Sequence, residues 1–235
     1  FWDEVGSQID FTNPRAATWW REQVKTALLD KGMVATWNDN NEYEIWDARA
    51  RFAGFGQPRA AAEMRPVQPL LMTRASRRAQ AEALPDRRPY AVTRSGMAGL
   101  QRYAQTWSGD NLTEWKTLRY NARMAIGLAL SGVSNSGHDV GGFAGPAPSP
   151  ELLVRWVQAG VLMPRFSIHS WNDDRTVNEP WMYPEALPAI RRLMALRQTL
   201  IPFFYDLLHA YHADYEPMVR PTWLDFPHDA VAWQE

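Results

Sequence analysis

Carboxylates follow two short apolar segments of this sequence. Asp39 comes after Met33–Trp37 and stands among asparagines, and Asp110 comes shortly after Ala104–Trp107. Amides and a nearby cation favour the ionised form of a carboxyl group, which we expect at Asp39. An apolar neighbour such as Trp107 favours the neutral acid, which we expect at Asp110. One ionised nucleophile and one proton donor are what the hydrolysis of a glycosidic bond requires.

Three more polar side chains follow short strand-like or glycine-rich segments, namely Arg94, Asp139 and His169. Asp139 and His169 can exchange hydrogen bonds with sugar hydroxyl groups, and Arg94 can hold a carboxylate in its ionised form. Each pattern also has a purely structural alternative. Asp139 could form a turn, His169 could be a structural histidine, and Asp39 could belong to an ordinary polar loop after a strand.

No metal or phosphate site is predicted. His138, Asp139, His169, Asp173 and Asp174 carry groups that bind metals, but there is no His-x-x-x-His pair and no cysteine, so zinc is not indicated. The phosphate-binding patterns Gly-x-x-x-x-Gly-Lys and Gly-x-Gly-x-x-Gly are absent, as is the Gly-x-Ser-x-Gly pattern of serine hydrolases. The sequence therefore indicates chemistry carried by carboxyl groups.

The overall composition excludes several classes of partner. The 235 residues include 25 Lys and Arg and 26 Asp and Glu, for a formal charge of −1. This balance argues against a nucleic acid or a membrane surface held by bulk charge, and no apolar run is long enough for a transmembrane helix. The 12 tryptophans suit a protein core or the stacking of sugar rings.

Helical patterns alternate with the strand-like segments along the chain. We predict helices over 16–29, 65–84, 113–130, 150–163 and 188–212, and strands over 33–37, 90–93, 104–107 and 165–168. Pro14, after the potential cap Asn13, marks the start of the first helix. This alternation predicts an α/β fold with a parallel sheet.

The spacing of the polar residues predicts a barrel. Asp110 follows Asp39 by 71 residues, Asp139 follows Asp110 by 29, and His169 follows Asp139 by 30. A (β/α)8 TIM barrel uses roughly 30 residues for each βα unit and carries its chemistry at the carboxyl ends of the strands. Right-handed crossovers would bring these residues, with Arg94, to one face.

We expect the chain to hold only about the last five of the eight βα units. The predicted limits are a partial barrel over residues 1–214 and the beginning of a C-terminal β-sandwich domain over 215–235. A barrel with two open sheet edges is prone to aggregation, so we expect the isolated chain not to be an independently stable domain.

Several ordered motifs resemble the α-glucosidases of glycoside hydrolase family 31. The sequence W-N-D-N-N-E at Trp37–Glu42 is similar to the nucleophile motif W-x-D-M-N-E of that family, and Trp107–Asn111 matches its acid/base motif W-x-G-D-N. Thr93–Ser95, His138–Phe143 and the segment Asp10–Trp20 match further motifs. One departure is Asn40, where the family usually has Met.

The resemblance implies a retaining, cofactor-free glycosidase that acts on an α-glucoside or oligosaccharide. Asp39 would be the nucleophile and Asp110 the general acid/base. The implied sugar-binding residues are Trp37, Arg94, Trp107, Asp139, Phe143 and His169. An α-xylosidase, a transglucosidase or a non-catalytic carbohydrate-binding relative is the alternative, and the isolated chain is expected to be inactive.

Overall fold

The computed structural model of the chain describes residues 6–234. The outer limits of the two predicted domains, Phe1 and Glu235, lie outside the described residues. The chain divides into two compact units between Gln105 and Thr106, and each unit is described by itself. Within each unit, helices alternate with parallel strands, which confirms the predicted α/β class. No helix within 6–234 has the length and apolar character needed to cross a membrane.

The first unit contains three α-helices and four strands among its described residues. They are α1 (Pro14–Ala27), β1 (Ala35–Asn38), β2 (Arg51–Phe52), β3 (Arg59–Ala60), α2 (Ala61–Met64), α3 (Gln68–Ala83) and β4 (Tyr90–Thr93). β1 and β4 pair in parallel, from Ala35 opposite Tyr90 to Asn38 opposite Thr93. β2 and β3 form a small antiparallel pair in the long segment that follows β1.

The start of α1 follows the predicted signals. Asn13 is the N-cap and accepts a hydrogen bond from the backbone N–H of Arg15, and Pro14 is the first helical residue. The helical pattern of the sequence predicts Trp19, Val24 and Leu28 as inward residues. Val24 is buried, but Trp19 and Leu28 are 48% and 39% exposed. The buried face carries Trp20 and Val24, which are four residues apart on one side of the helix. Trp19 lies about 100° away from that side.

The strand β1 is shorter and more polar than predicted. Met33 and Val34 precede it and are exposed, and Trp37 within it is 46% exposed. Its buried side chains are Thr36 and Asn38. Since successive strand side chains point to opposite faces, Trp37 points away from the face that carries these two residues.

Hydrogen bonds to α3 explain how these polar residues are buried. Gln80 donates to Thr36 Oγ1 at 2.8 Å and accepts from the backbone N–H of Tyr90 at 2.8 Å. Ser76 donates to Asn38 Oδ1 at 3.2 Å. The contact between β1 and α3 is therefore held by satisfied polar pairs, which lowers the cost of burying them.

The second unit contains the remaining elements. They are β5 (Gln105–Trp107, whose first residue precedes the division), α4 (Trp115–Leu130), β6 (Ser136–Asp139), α5 (Pro150–Gly160), β7 (Arg165–Ser167), α6 (Leu187–Thr199), α7 (Ile201–Asp214) and α8 (Thr222–Asp225). β6 pairs in parallel with β5, placing Trp107 opposite Gly137, and with β7, placing Asp139 opposite Ser167. The core is built around α5, which buries Leu153, Trp156 and Val157.

Two predictions in the second unit are wrong. The glycine-rich stretch 134–143, for which the sequence analysis gives no strand, contains β6. The helix predicted over 188–212 is two helices, α6 and α7, with Leu200 between them. Pro202 stands at the start of α7, and a proline in a helix interior removes one hydrogen bond and clashes with the preceding turn.

The sequence pattern of α4 predicts Trp115, Leu118, Met124 and Leu128 near one side of the helix. Trp115 is exposed, and the fully buried residues are Asn121, Ala125 and Ala129, at intervals of four. After Asp214 the described residues form α8 and a 3-10 turn at Val231–Trp233, and none of 215–234 is a strand. The predicted boundary at 214/215 coincides with the end of α7, and the domain that would begin there stays a prediction.

Candidate active site

Arg94 is the centre of an ionic cluster in the first unit. Its Nη1 lies 3.1 Å from Asp39 Oδ1, its Nε lies 2.7 Å from Glu42 Oε1, and its Nη2 donates to Glu42 Oε2 at 2.9 Å. Nη2 also donates to Asn40 Oδ1 at 2.6 Å. One guanidinium thus connects two carboxylates and an amide, all from the loop after β1. We call these four residues the Arg94 cluster.

The backbone of the two loops explains how the Arg94 cluster forms. The backbone N–H of Arg94 donates to Asn38 O at 3.0 Å, directly after the paired residues of β1 and β4. Asn41 is buried, donates to Thr93 Oγ1 at 2.9 Å and accepts from the backbone N–H of Ser95 at 3.0 Å. The loops that follow the two strands are therefore fastened to each other, and Asp39 and Arg94 come to the same strand ends.

The chain turns sharply at Asn40, which has a left-handed φ of 49°. Asn is among the residues that tolerate this conformation best. The backbone N–H of Asn40 donates to Asp39 Oδ1 at 2.9 Å, so the same carboxylate oxygen accepts from Asn40 and contacts Arg94. The Asp39 side chain remains 42% exposed, which leaves it accessible to a ligand.

Glu42 is a member of the Arg94 cluster that we did not select from the sequence. The hydrogen bonds from Arg94 hold the pKa of its carboxyl group below the usual range, and partial burial opposes this effect. The only signal for it was its place as the last residue of Trp37–Glu42. The bidentate contact with Arg94 is of the kind that fixes the plane and direction of a guanidinium.

In the second unit, Asp139 is fully buried at the end of β6 and faces Arg165. Arg165 Nη1 donates to Asp139 Oδ1 at 3.2 Å and to the carbonyl of His138 at 3.3 Å. Among the described residues, Asp139 Oδ2 has no hydrogen-bond partner. Burial raises the pKa of Asp139 to about 6, although electrostatic interactions with Arg165 and His169 oppose this effect. One oxygen of this carboxyl group is therefore held while the other can accept a further donor.

Arg165 is a second residue of the candidate site that we did not select from the sequence. It is 4% exposed at the start of β7, and its guanidinium carbon lies 5.5 Å from the centre of the Trp107 ring. A buried arginine needs a carboxylate partner, and burial at this position could not be inferred from a strand of three residues. Its contacts place Asp139 and Trp107 around one cation.

The turn that carries Asp110 is held by its own side chains. Gly109 has a left-handed φ of 75°. Ser108 Oγ donates to Asn111 Oδ1 at 2.6 Å, and Asn111 Nδ2 donates to the carbonyl of Ser108 at 3.1 Å. The carbonyl of Asn111 accepts from the backbone N–H of Phe143 at 2.8 Å. Asp110 is exposed and near enough to Asp139 for the electrostatic interaction between the two carboxyl groups to raise the pKa of Asp139.

Phe143 and His169 form an aromatic pair on the loops after β6 and β7. Their ring centres are 5.2 Å apart with an angle of 48° between the planes. The backbone N–H of Trp171 donates to Phe143 O at 2.8 Å, so backbone hydrogen bonds tie the loops after β5, β6 and β7 together through Phe143. His169 is exposed rather than buried.

The predicted site residues thus fall into two groups. The first unit places Asp39 beside Arg94, with Trp37 on the exposed face of β1. The second unit gathers the other candidates at the ends of its strands, namely Trp107, Asp110, Asp139, Phe143 and His169. No group of three or more His, Asp or Glu suited to a metal ion occurs among residues 6–234.

Comparisons with known proteins place the chain in a family. It is 34% identical over 235 residues to Alpha-glucosidase 2 of Bacillus thermoamyloliquefaciens, covering 97% of this chain and 30% of that protein. It is 35% identical over 244 residues to the Probable glucan 1,3-alpha-glucosidase of Arabidopsis thaliana, covering 99% of this chain and 26% of that protein. The chain therefore spans about a quarter to a third of the length of these relatives.

A solved structure agrees with this assignment. A crystal structure of the glucosidase II alpha subunit superposes with a TM-score of 0.86 at 28% identity, over 95% of this chain and 25% of that one. The model of the family described as "Glycosyl hydrolases family 31 TIM-barrel domain" matches residues 1–207. The chain belongs to glycoside hydrolase family 31, within its TIM-barrel domain.

Proposed function

We propose that the protein containing this chain is a retaining, exo-acting α-glucosidase that removes terminal α-linked glucose through a covalent glycosyl-enzyme. Asp39 is the nucleophile and Asp110 the general acid/base. The observation that carries the proposal is the Arg94 cluster, in which an accessible carboxylate is fixed by a cation 3.1 Å away. The identity of about a third with named α-glucosidases supports the substrate class.

The reaction proceeds in two steps. In the first, an Asp39 oxygen attacks the anomeric carbon, the bond from that carbon to the leaving oxygen breaks, and Asp110 donates its proton to that oxygen. In the second, a water molecule attacks the same carbon, gives its proton to Asp110, and displaces Asp39. This is the double displacement by which two carboxyl groups retain the anomeric configuration.

The remaining residues of the site bind the sugar. Asp139 offers its second oxygen to a sugar hydroxyl, and the exposed His169 can donate or accept next to it. Phe143, Trp107 and Trp37 supply apolar surface, and Arg94 supplies hydrogen bonds from the side of the nucleophile. No cofactor or metal ion takes part in these steps.

The proposal extends to the architecture of the full-length protein. Residues 1–214 form about the last five βα units of a (β/α)8 barrel, and 215–235 begin a C-terminal β-sandwich domain. The two curated relatives are several times longer than the part matched, so we expect the isolated chain to have no activity of its own.

The nucleophile is tested in the full-length protein with p-nitrophenyl α-glucoside. Asp39→Asn removes the negative charge with little change of shape, and we expect kcat to fall by on the order of 10⁴-fold or more. Asp86→Asn, an exposed residue in the turn after α3, is the matched control and should keep full activity. Near-normal turnover by the Asp39 variant would exclude Asp39 as the nucleophile.

The acid/base is tested by varying the leaving group. Asp110→Ala should lose roughly 10²- to 10⁴-fold on glucosides with poor leaving groups, because these need protonation. Substrates with good leaving groups should lose much less in the glycosylation step. Equal losses on both kinds of substrate would count against an acid/base role for Asp110.

An α-xylosidase is the second candidate function. A crystal structure of a family 31 alpha-xylosidase from a soil metagenome, complexed with xylose, superposes with a TM-score of 0.83 at 26% identity, over 96% of this chain and 36% of that one. The ratio of kcat/KM for p-nitrophenyl α-glucoside and α-xyloside separates the two. A non-catalytic relative would hydrolyse neither, and the presence of both Asp39 and Asp110 argues against it.

A further inference from the structure

The side-chain amide of Asn40 is fixed by the Arg94 cluster. Its Oδ1 accepts a hydrogen bond from Arg94 Nη2 at 2.6 Å. Arginine can only donate, so the amide atom that faces the guanidinium is the oxygen and not the nitrogen. Arg94 is itself held by Glu42 through Nε and Nη2, at 2.7 and 2.9 Å. The direction of the Asn40 amide is therefore set by a guanidinium that a carboxylate holds in place.

The nitrogen of the same amide carries two N–H donors and has no protein partner. Asn40 Nδ2 makes no hydrogen bond to any residue from 6 to 234, and Asn40 is exposed. Since the amide oxygen faces Arg94, the two N–H groups point away from the guanidinium. These donors are thus oriented before a ligand arrives, and a preorganised group loses little conformational freedom when it binds.

The amide of Asn40 lies beside the proposed nucleophile. Asp39 Oδ1 is 3.1 Å from Arg94 Nη1, and Asn40 Oδ1 is 2.6 Å from Arg94 Nη2. The carboxylate and the amide therefore occupy the two terminal nitrogens of one guanidinium. The backbone N–H of Asn40 also donates to Asp39 Oδ1 at 2.9 Å. A sugar whose anomeric carbon is within reach of Asp39 brings its hydroxyl groups to this part of the loop.

We propose that Asn40 Nδ2 donates a hydrogen bond to a hydroxyl oxygen of the sugar that Asp39 attacks. This inference rests on the proposed function, because it takes the ligand at Asp39 to be an α-glucoside. A neutral hydroxyl group suits the position, since the carboxylates of Asp39 and Glu42 on the same guanidinium disfavour an anion. The methionine that the family motif usually has here carries no hydrogen-bond donor. The contact therefore distinguishes this chain from relatives with the usual motif.

The contact is tested by removing the donor and the hydroxyl group separately. In the full-length protein, Asn40→Asp keeps the size of the side chain and an oxygen for Arg94, but it replaces the N–H donors by an acceptor. We measure kcat/KM for α-glucosyl fluoride and for its monodeoxy analogues, each of which lacks one hydroxyl group. Loss of the bound hydroxyl should cost the wild type roughly 2- to 10-fold through this contact. The Asn40→Asp variant should not show that part of the loss.

The ratio between substrates separates sugar binding from a structural effect. A smaller folded fraction, or an added charge next to Asp39, lowers kcat/KM for all these substrates alike and leaves their ratios unchanged. Asn40→Met, which has neither charge nor donor, should change the same ratio as Asn40→Asp. The control Glu44→Gln, at an exposed position of the same loop, should keep the wild-type ratios. Wild-type ratios for every analogue in both Asn40 variants would overturn the proposal.

A crystal structure of the full-length protein with glucose tests the contact without turnover. We expect Asn40 Nδ2 within hydrogen-bond distance of a glucose hydroxyl, with Oδ1 still facing Arg94. Glucose bound at Asp39 without this contact would overturn the inference and leave the proposed function intact. A wild-type protein that neither hydrolyses α-glucosyl fluoride nor binds glucose would instead contradict the proposed function, and the contact with it.

Discussion

At the scale of single residues, the Arg94 cluster determines where the proposed nucleophile points. Arg94 is shared by Asp39 and Glu42, and the shorter contacts are those to Glu42, at 2.7 and 2.9 Å against 3.1 Å. The Arg94 side chain is only 17% exposed, so these contacts are less screened than an ordinary surface ion pair. Glu42 therefore fixes the position of the Arg94 guanidinium, and this guanidinium in turn orients Asp39.

We predict that Glu42→Gln reduces kcat/KM by roughly 10-fold or more, since one charge-assisted contact is worth about 1.5–3 kcal/mol. The neutral amide no longer anchors Arg94, whose charge then shifts toward Asp39 and weakens the nucleophile. Steady-state kinetics of the full-length protein measure the effect. Glu44→Gln, an exposed neighbour in the same loop, should leave kcat/KM unchanged, and equal losses in both variants would refute the role of Glu42.

At the scale of elements, the pairing of β6 with β7 depends on Gly137, a residue outside the polar motifs identified from the sequence. A Cβ added at Gly137 would lie 2.2 Å from the carbonyl oxygen of Arg165 and 2.8 Å from its Cβ. Gly137 is directly opposite Arg165 in the strand pair. The close approach lets Arg165 reach both Asp139 and Trp107.

We predict that Gly137→Ala lowers the free energy of unfolding by about 1–3 kcal/mol, because overpacking forces β6 and β7 apart. Gly127→Ala should instead raise the free energy of unfolding by up to about 1 kcal/mol, since Gly is unfavourable in a helix interior. Denaturant unfolding of both variants measures the contrast. A Gly137 variant as stable as the wild type would show that the strands adjust without cost.

Sequence patterns predicted the elements where local chemistry dominates. The bounds of β4 are as expected, and the cap of α1 and the start of α5 at Pro150 follow from their residues. β6 was missed because Ser136–Asp139 contains no Val, Ile, Thr, Phe, Tyr or Trp, and its conformation is set by pairing on both sides. Trp19 was misplaced because α1 turns its other side to the core.

At the scale of the whole molecule, His138 and Asp139 contribute to the free energy of unfolding with opposite dependences on pH. His138 has a pKa of about 4 in the folded protein and about 6.5 in the unfolded chain. Its contribution is complete above pH 6.5 and is lost as the pH falls toward 4. Asp139 has a raised pKa of about 6, so its contribution is complete below about 4 and is lost as the pH rises through 6.

We predict that replacing one of these two residues makes the pH dependence contributed by the other visible in the melting temperature. Asp139→Asn should make the melting temperature fall as the pH is lowered from 6.5 to 4, and His138→Gln should make it rise over the same range. Each effect is limited to about 3 kcal/mol by the size of the pKa shift. Thermal melts at several pH values measure the slopes, and parallel slopes in the two variants would contradict this account.

The candidate site was predictable as far as it depends on short motifs. Asp39, Arg94, Asp110 and His169 lie at strand ends, where spacing placed them. The burial of Arg165 and His138 depends on which side chains pack together, and that is decided by packing between α4, α5 and the strands of the second unit. A single sequence carries no signal for such contacts.

The left-handed turn at Asn40 limits which amino acids can replace it. The family motif usually has Met at this position, so a different lining of the sugar pocket is one explanation for Asn40. The φ of 49° supplies another explanation. A straight-chain residue is destabilised by about 1–2 kcal/mol in this conformation, and glycine is not. A full set of substitutions at Asn40 should therefore rank by tolerance of left-handed backbone, with Gly and Asp above Met and with Val and Ile last. Melting temperatures that rank by hydrophobicity instead would show that the side chain's surroundings, and not the turn, select the residue.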